Sequence, residues 1–121
     1  MSLTTSTFDL ERFAQAAEER DAATQASMYG PEAVVTIVDR HSPPSSPRVL
    51  QGRGEITAWL EDMYGRDMTH KIGSTVSDAT GAAYTQACRY ADGTQVFCST
   101  VIELADGAIA RQSVVHVWDE S

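Results

Sequence analysis

The chain has little of what usually announces a function. Basic residues are scarce: nine Lys and Arg stand against 17 Asp and Glu, a formal net charge of −8. Phosphate contacts need clustered cations, so this balance argues against nucleic acid, and an anionic membrane surface is disfavoured for the same reason. Long apolar runs are missing as well. None approaches the ~18 residues of a spanning helix, and no basic segment followed by an apolar one opens the chain, so a cytoplasmic protein is expected. Cysteine occurs twice, at Cys88 and Cys98, which provides neither a disulfide framework nor a zinc pattern. With 121 residues, 42% of them hydrophobic, the chain can bury one core but not two. One domain over residues 1–121 is expected, its first five residues polar and frayed.

What is present is concentrated at the end of the chain. Tyr84 to Tyr90 alternates in polarity, and so do Val96 to Leu104 and Ile109 to Trp118; Ala-Asp-Gly tripeptides at 91–93 and 105–107 join these runs. A three-residue hairpin loop with glycine last fits a type I turn followed by a left-handed residue. That register pairs Tyr90 with Thr94 and Leu104 with Ala108, and so fixes the face of every side chain. One face then holds Tyr84, Gln86, Cys88, Tyr90, Val96, Cys98, Thr100, Ile102, Gln112, Val114, His116 and Trp118. A packing face is mostly aliphatic, so this mixture of bulky apolar and hydrogen-bonding groups suggests the lining of a cavity. Arg89 and Arg111 fall on the other face. There Phe97, Val101, Val115 and Val117 form an apolar patch suited to a second copy of the chain. On the inner face Cys88 and Cys98 lie diagonally, and free buried thiols are expected.

Earlier in the chain the pattern is helical. Phe8, Leu10, Phe13, Ala14 and Ala17 follow helical spacing, with Ser6 or Thr7 available as a cap. Asp21 can cap a second helix from Ala22 to Tyr29, which Gly30-Pro31 would end. Ala33 to Asp39 is rich in β-branched residues and predicts a strand, and Val49-Leu50 a brief returning one after the proline-serine loop 41–47. Ile56, Trp59, Leu60 and Met63 mark a third helix ending near Gly65. Thr69 to Ser77 alternates His70, Ile72, Ser74 and Val76 on one side, as a half-buried strand would. Helices followed by a run of antiparallel strands imply the α+β class.

The Arg20-Asp21 step and Tyr29-Gly30-Pro31-Glu32-Ala33-Val34 resemble corresponding stretches of the nuclear transport factor 2-like superfamily. So do Gly52 to Trp59 opening the third helix, Asp106-Gly107-Ala108-Ile109, and the closing Val117-Trp118-Asp119; within the superfamily the chain is most similar to the SnoaL-like group. The resemblance spans roughly residues 6 to 120. It implies a cone-shaped fold in which three helices pack on a curved, mixed but mostly antiparallel sheet, with a pocket at the wide end and dimers often formed through the outer sheet face. It leaves function open, because one fold hosts many chemistries.

Three residues carry the chemistry expected of such a cone. Asp39 ends a strand on the side of Val35 and Ile37, so its carboxylate points inward, where desolvation would suit it to act as a general base. His70 opens Thr69-His70-Lys71-Ile72-Gly73-Ser74-Thr75, similar to a stretch of scytalone dehydratase whose histidine is an acid/base. His116 lies on the inner face between Val114 and Trp118. Imidazole titrates near neutrality, which suits both histidines to proton transfer. Each candidate has a plainer reading: a strand-end carboxylate, a rim histidine, a satisfied core histidine. Tyr84, Gln86 and Gln112 could hold an oxygen that gains charge, and Thr100, Trp59, Met63 and Trp118 could bind substrate. His41 is expected to be solvated.

The resemblance excludes two activities. Ketosteroid isomerase, whose fold this would be, needs an aspartate base, a tyrosine and a protonated aspartic acid, and the matching positions here hold Ile37, Phe13 and Thr100. Limonene epoxide hydrolase needs an aspartate–arginine–aspartate set that the late strands do not offer. Gly52-Arg53-Gly54 lacks the rest of a phosphate loop. No cofactor is implied, and no ligand spacing points to a metal. Two readings remain. One is cofactor-free acid/base chemistry (dehydration, isomerisation or cyclisation) on a hydrophobic oxygenated substrate. The other is a non-catalytic module that binds a small hydrophobic ligand or dimerises.

Overall fold

The computed structural model describes residues 8–119. The first helix, α1 (Leu10–Glu18), is capped by the Asp9 carboxylate, which accepts from the Arg12 amide at 3.0 Å. The cap expected at Ser6 or Thr7 lies outside the described residues, and Asp9 takes that role. Glu19 closes α1, and Arg20 then turns left-handed (φ 57°), unusual for a side chain with a Cβ. The turn lets the Arg20 and Asp21 amides reach back to the Ala17 and Ala16 carbonyls, which would otherwise lack donors. Arg20 also donates to the Arg66 carbonyl at 3.0 Å, tying this corner to a distant loop.

Asp21 caps α2 (Ala22–Ala26) as expected, but the helix stops three residues before Tyr29. Tyr29 instead opens β1 (Tyr29–Val38), with its ring fully buried. Gly30-Pro31 therefore lies in a strand. The ladder to the neighbouring strand is irregular between Tyr29 and Val34, where a residue without an N–H can be tolerated. Burying an aromatic side chain outweighs the local stop signal. After a loop come β2 (Arg48–Gln51) and α3 (Gly52–Tyr64). Arg53 does not prepare a phosphate site; its guanidinium donates twice to the Tyr29 carbonyl, at 3.1 and 2.7 Å.

Four strands complete the fold: β3 (Met68–Ser77), β4 (Gly81–Tyr90), β5 (Gln95–Ala105) and β6 (Ala108–Trp118). The sheet order is β2-β1-β6-β5-β4-β3, and only β1 and β6 run parallel. Phe13, Ile56 and Leu60 from the helices meet Tyr29, Val35, Ile37, Ile102 and Ile109 from the sheet in the main core. A second, smaller cluster of Met68, Cys88, Val96 and Cys98 fills the other end of the same face. The opposite face of β5 and β6 leaves Phe97, Val101, Val115 and Val117 exposed. Among the described residues no helix is long and apolar enough to cross a membrane.

The two Ala-Asp-Gly loops do not behave alike. The first is the expected three-residue loop, with Tyr90 paired to Thr94 and Gly93 left-handed. In the second, Ala105 pairs with Ala108 around a two-residue turn whose Asp106 and Gly107 both have positive φ, the type I′ geometry. A bulge beyond it moves the partner of Ile102 to Gln112, two residues from the expected register. A shift of two preserves every side chain's face, so Gln112, Val114, His116 and Trp118 still point inward and Arg111 outward. The reason is tertiary: Ile109 is fixed against β1, its amide donating to the Met28 carbonyl. A bulge also interrupts β3 between Ile72 and Thr75, so Ser74 and Val76 leave the inner side that His70 and Ile72 occupy.

Candidate active site

The parallel ladder that pairs Ile37 with Val114 and Val38 with Val115 places Asp39 beside His116 one step further on. The antiparallel ladders put Cys98 opposite His116, Val96 opposite Trp118 and Cys88 opposite His70. All of these inner positions but His70 face Trp59, Asp62 and Met63 of α3 across a cavity of about 80 Å³. Its wall includes Asp39, Arg48, Arg66, Met68, Cys88, Cys98, His116 and Trp118. Outside it an open basin of about 570 Å³ is bordered by Arg40, His41, Arg48, Arg66 and Trp118. Deeper in, a chamber of about 20 Å³ lies among Tyr64, Tyr84, Gln86, Thr100, Gln112 and His116. His116 and Cys88 line both the cavity and the inner chamber.

Burial holds the His116 imidazole below its ordinary value, and the nearby Asp39 carboxylate partly opposes that effect. His116 is therefore a neutral base at neutral pH. Among the described residues no hydrogen bond joins it to Asp39. The carboxylate accepts the His41 amide at 2.9 Å, and its backbone exchanges two hydrogen bonds with Ser42. This turn fixes Asp39 at the strand end while leaving it in the cavity wall. His41 is exposed, as expected. Trp118 stacks on Tyr90 at 5.7 Å, and the Arg40 guanidinium sits 4.2 Å above its ring. Its buried indole Nε1 has no partner among the described residues.

His70 is elsewhere. It is buried on β3, three strands from His116, with Nδ1 3.2 Å from the Cys88 sulfur and 2.9 Å from the Gln86 amide nitrogen. The Tyr64 ring meets it edge-on at 5.1 Å. The structure thus brings Asp39 and His116 together at the cavity and puts His70 behind Cys88.

The inner polar groups are largely engaged with one another. The Tyr29 hydroxyl donates to the Gln112 carbonyl oxygen, and Tyr64 donates to Gln25. Tyr84 lines the inner chamber beside Thr100 and Gln112. Burial pushes all three phenols above their usual range, so they remain donors. Both cysteines are free and buried. Asp62 and Arg66 at the cavity wall escaped the sequence reading, because they sit at and just beyond the end of α3, where alternation carries no signal. Cys88 was placed on the inner face, but only its cross-strand position opposite His70 gives it chemical meaning. Among the described residues no three His, Cys, Asp or Glu side chains gather to hold a metal ion.

The SnoaL-like domain family matches this chain over residues 10–112. No curated protein matches it. Among solved structures it resembles an NTF2-like protein of unknown function from Mesorhizobium loti (TM-score 0.77, 17% identity, covering 89% of this chain and 87% of that one). It also resembles SalBIII, an epoxide hydrolase/cyclase-like enzyme with a role in pyran ring formation in the polyether salinomycin (TM-score 0.68, 18% identity, 91% and 87% covered). A candidate polyketide cyclase from Sinorhizobium meliloti is a third neighbour (TM-score 0.66, 18% identity, 87% and 91% covered). At these identities the likeness is one of fold: three helices on a mixed six-stranded sheet, the NTF2-like architecture expected from the sequence.

Proposed function

We propose that this chain, which belongs to the SnoaL-like domain family, is a small-molecule enzyme whose acid/base centre is the Asp39–His116 pair. The observation that carries the reading is their juxtaposition on neighbouring parallel strands, at the wall of a cavity lined otherwise mainly by apolar groups. His116, neutral through burial, removes a proton from carbon or oxygen. Asp39 steadies the imidazolium that results. The unpartnered indole N–H of Trp118 and the Arg48 guanidinium supply donors for an oxygen that gains charge. Trp59 and Met63 cover the substrate from α3. The reaction types that fit are dehydration, isomerisation and cyclisation of a small oxygenated molecule. The cyclase-like neighbours favour the same group.

A binding module without turnover is the second reading, favoured by the narrow inner chamber and by the engagement of Gln112 with Tyr29 and of Tyr64 with Gln25. In either case the apolar outer face is assigned to a second copy of the chain.

Proton abstraction can be measured without the natural substrate, by exchange of α-hydrogens for deuterium in cyclohexanone and 2-tetralone followed by proton NMR in D₂O. Saturable acceleration is expected, with Asp39→Asn and His116→Gln each reducing it about 10²-fold or more. The double variant should be little worse than either, because groups acting as a unit are not additive. Saturable binding of these ketones with no exchange would establish the binding-module reading instead. Exchange that is indifferent to both substitutions would remove the pair from the chemistry.

A further inference from the structure

The His70–Cys88 contact is unused by the reading above, and it has the form of an activated nucleophile. His70 and Cys88 are directly opposite on β3 and β4, so their proximity is built into the ladder rather than into flexible side chains. A nucleophile within reach of a base that a third group orients is the arrangement nucleophilic catalysis requires. Here the sulfur lies 3.2 Å from Nδ1, the Gln86 amide holds the same nitrogen at 2.9 Å, and the Tyr64 ring fixes the imidazole plane. With the Gln86 nitrogen donating, Nδ1 is the accepting side of the ring and the proton sits on Nε2, which is buried without a partner among the described residues; the same Gln86 amide nitrogen lies 3.4 Å from the Cys88 sulfur, so its N–H turns to the thiolate when Nδ1 takes up the thiol proton. The free side of the pair faces the cavity, since Cys88 forms part of its wall and of the wall of the inner chamber.

We propose that Cys88 is a second reactive centre of this protein, a thiol nucleophile with His70 as its base, directed at small α,β-unsaturated carbonyl compounds that enter the cavity. The Cys88 proton passes to His70 Nδ1. The sulfur lone pair forms a bond to the β-carbon, and the displaced π electrons become an enolate. The α-carbon then recovers the proton from the imidazolium, giving a saturated thioether adduct with no further reactant. Soft sulfur suits this electrophile, and the apolar wall of Ile37, Met63 and Val96 suits its hydrocarbon part. The thiolate is well supported: the neighbouring Cys98 thiol favours it, and the His70 ring at 3.2 Å and the Gln86 amide at 3.4 Å add to the effect, so the Cys88 thiol is held below the usual thiol range against the cost of burial. Cys98 is pushed the other way by Cys88 and by burial. The other titratable and charged groups that share the cavity and chamber walls with Cys88 are Asp39 after β1, Arg48 on β2, Asp62 and Tyr64 on α3, Arg66 just beyond it, Tyr84 and Tyr90 on its own strand, and His116 on β6.

The test uses the reduced, folded protein and acrylamide as a small unsaturated probe, with labelling followed by intact mass and peptide mapping. Cys88 is expected to be alkylated before Cys98, with a rate that reaches its plateau at a lower pH than the ~8.5 midpoint of an ordinary thiol. His70→Gln should slow labelling at pH 7 by about 10-fold or more, and Cys98→Ser should leave Cys88 as the labelled site. Circular dichroism of each variant establishes that the fold is intact. If His70→Gln unfolds the chain, the pH profile of the unaltered protein decides alone. Labelling of both cysteines at equal rates, labelling only on denaturation, or an ordinary thiol profile would overturn the assignment.

Discussion

Gln112 was a candidate for holding substrate, yet its carbonyl oxygen accepts the Tyr29 hydroxyl in the interior, and Tyr29→Phe measures how far that engagement goes. Tyr29 is fully buried and Gln112 is 3% exposed, so the orphaned oxygen cannot turn to water. Leaving a buried acceptor unpaired costs about 1–3 kcal/mol. At about 2 kcal/mol, and roughly 4 °C per kcal/mol for a domain of this size, the melting midpoint should fall by about 8 °C. The complementary variant Gln112→Met strands the Tyr29 hydroxyl and should cost a similar amount. Combining the two removes donor and acceptor together, so the double variant should lose less than the sum, with a coupling of about 0.5–3 kcal/mol. Urea unfolding followed by tryptophan fluorescence gives all four stabilities. A loss below about 0.5 kcal/mol for Tyr29→Phe, or a coupling of zero, would show that Gln112 is free for a ligand and that the pair does not organise the cone.

Two further outcomes are expected. Because burial lowers the His116 value, the unfolded chain takes up that proton first as the solution is acidified. The stability His116 contributes is complete above its ordinary value of ~6.5 and is lost as pH falls below it toward the folded value. Urea midpoints across this range should therefore decline less steeply in His116→Gln than in the unaltered protein, and parallel curves would contradict the assignment. On the outer face, light scattering should give twice the mass of one chain, and Phe97→Asp should halve it without loss of fold. A chain that is monomeric at micromolar concentration before substitution would refute the pairing.

The faces of the late strands were legible because a period of two survives an error of two in register. Gln112 and His116 point inward under either pairing, although the turn at 106–107 is shorter than the repeated tripeptide suggested. The end of α2 was not legible: Gly30-Pro31 is a sound local stop signal, and only the core position of Tyr29 explains why the chain is already a strand there. For the site, Asp39 and His116 could each be placed inward by alternation. Their adjacency could not, because it depends on the parallel pairing of β1 with β6, which no nearby pattern encodes. The His70 region failed differently. Its strand was found, but the partner opposite it follows from the β3–β4 register, and Cys88 read as one more buried thiol.

The pairing of β1 with the last strand also dictates when this protein can acquire its structure. Val35 waits for Gln112 and Ile37 for Val114, so in a chain made from the N-terminus β1 has only short β2 beside it until β6 has been made. Loop closure over such a span precedes any reward from contact, which makes folding slow and leaves the apolar edge of β1 bare meanwhile. Loss of the final strand would leave Asp39 without its histidine, and the centre of the sheet would become an open edge.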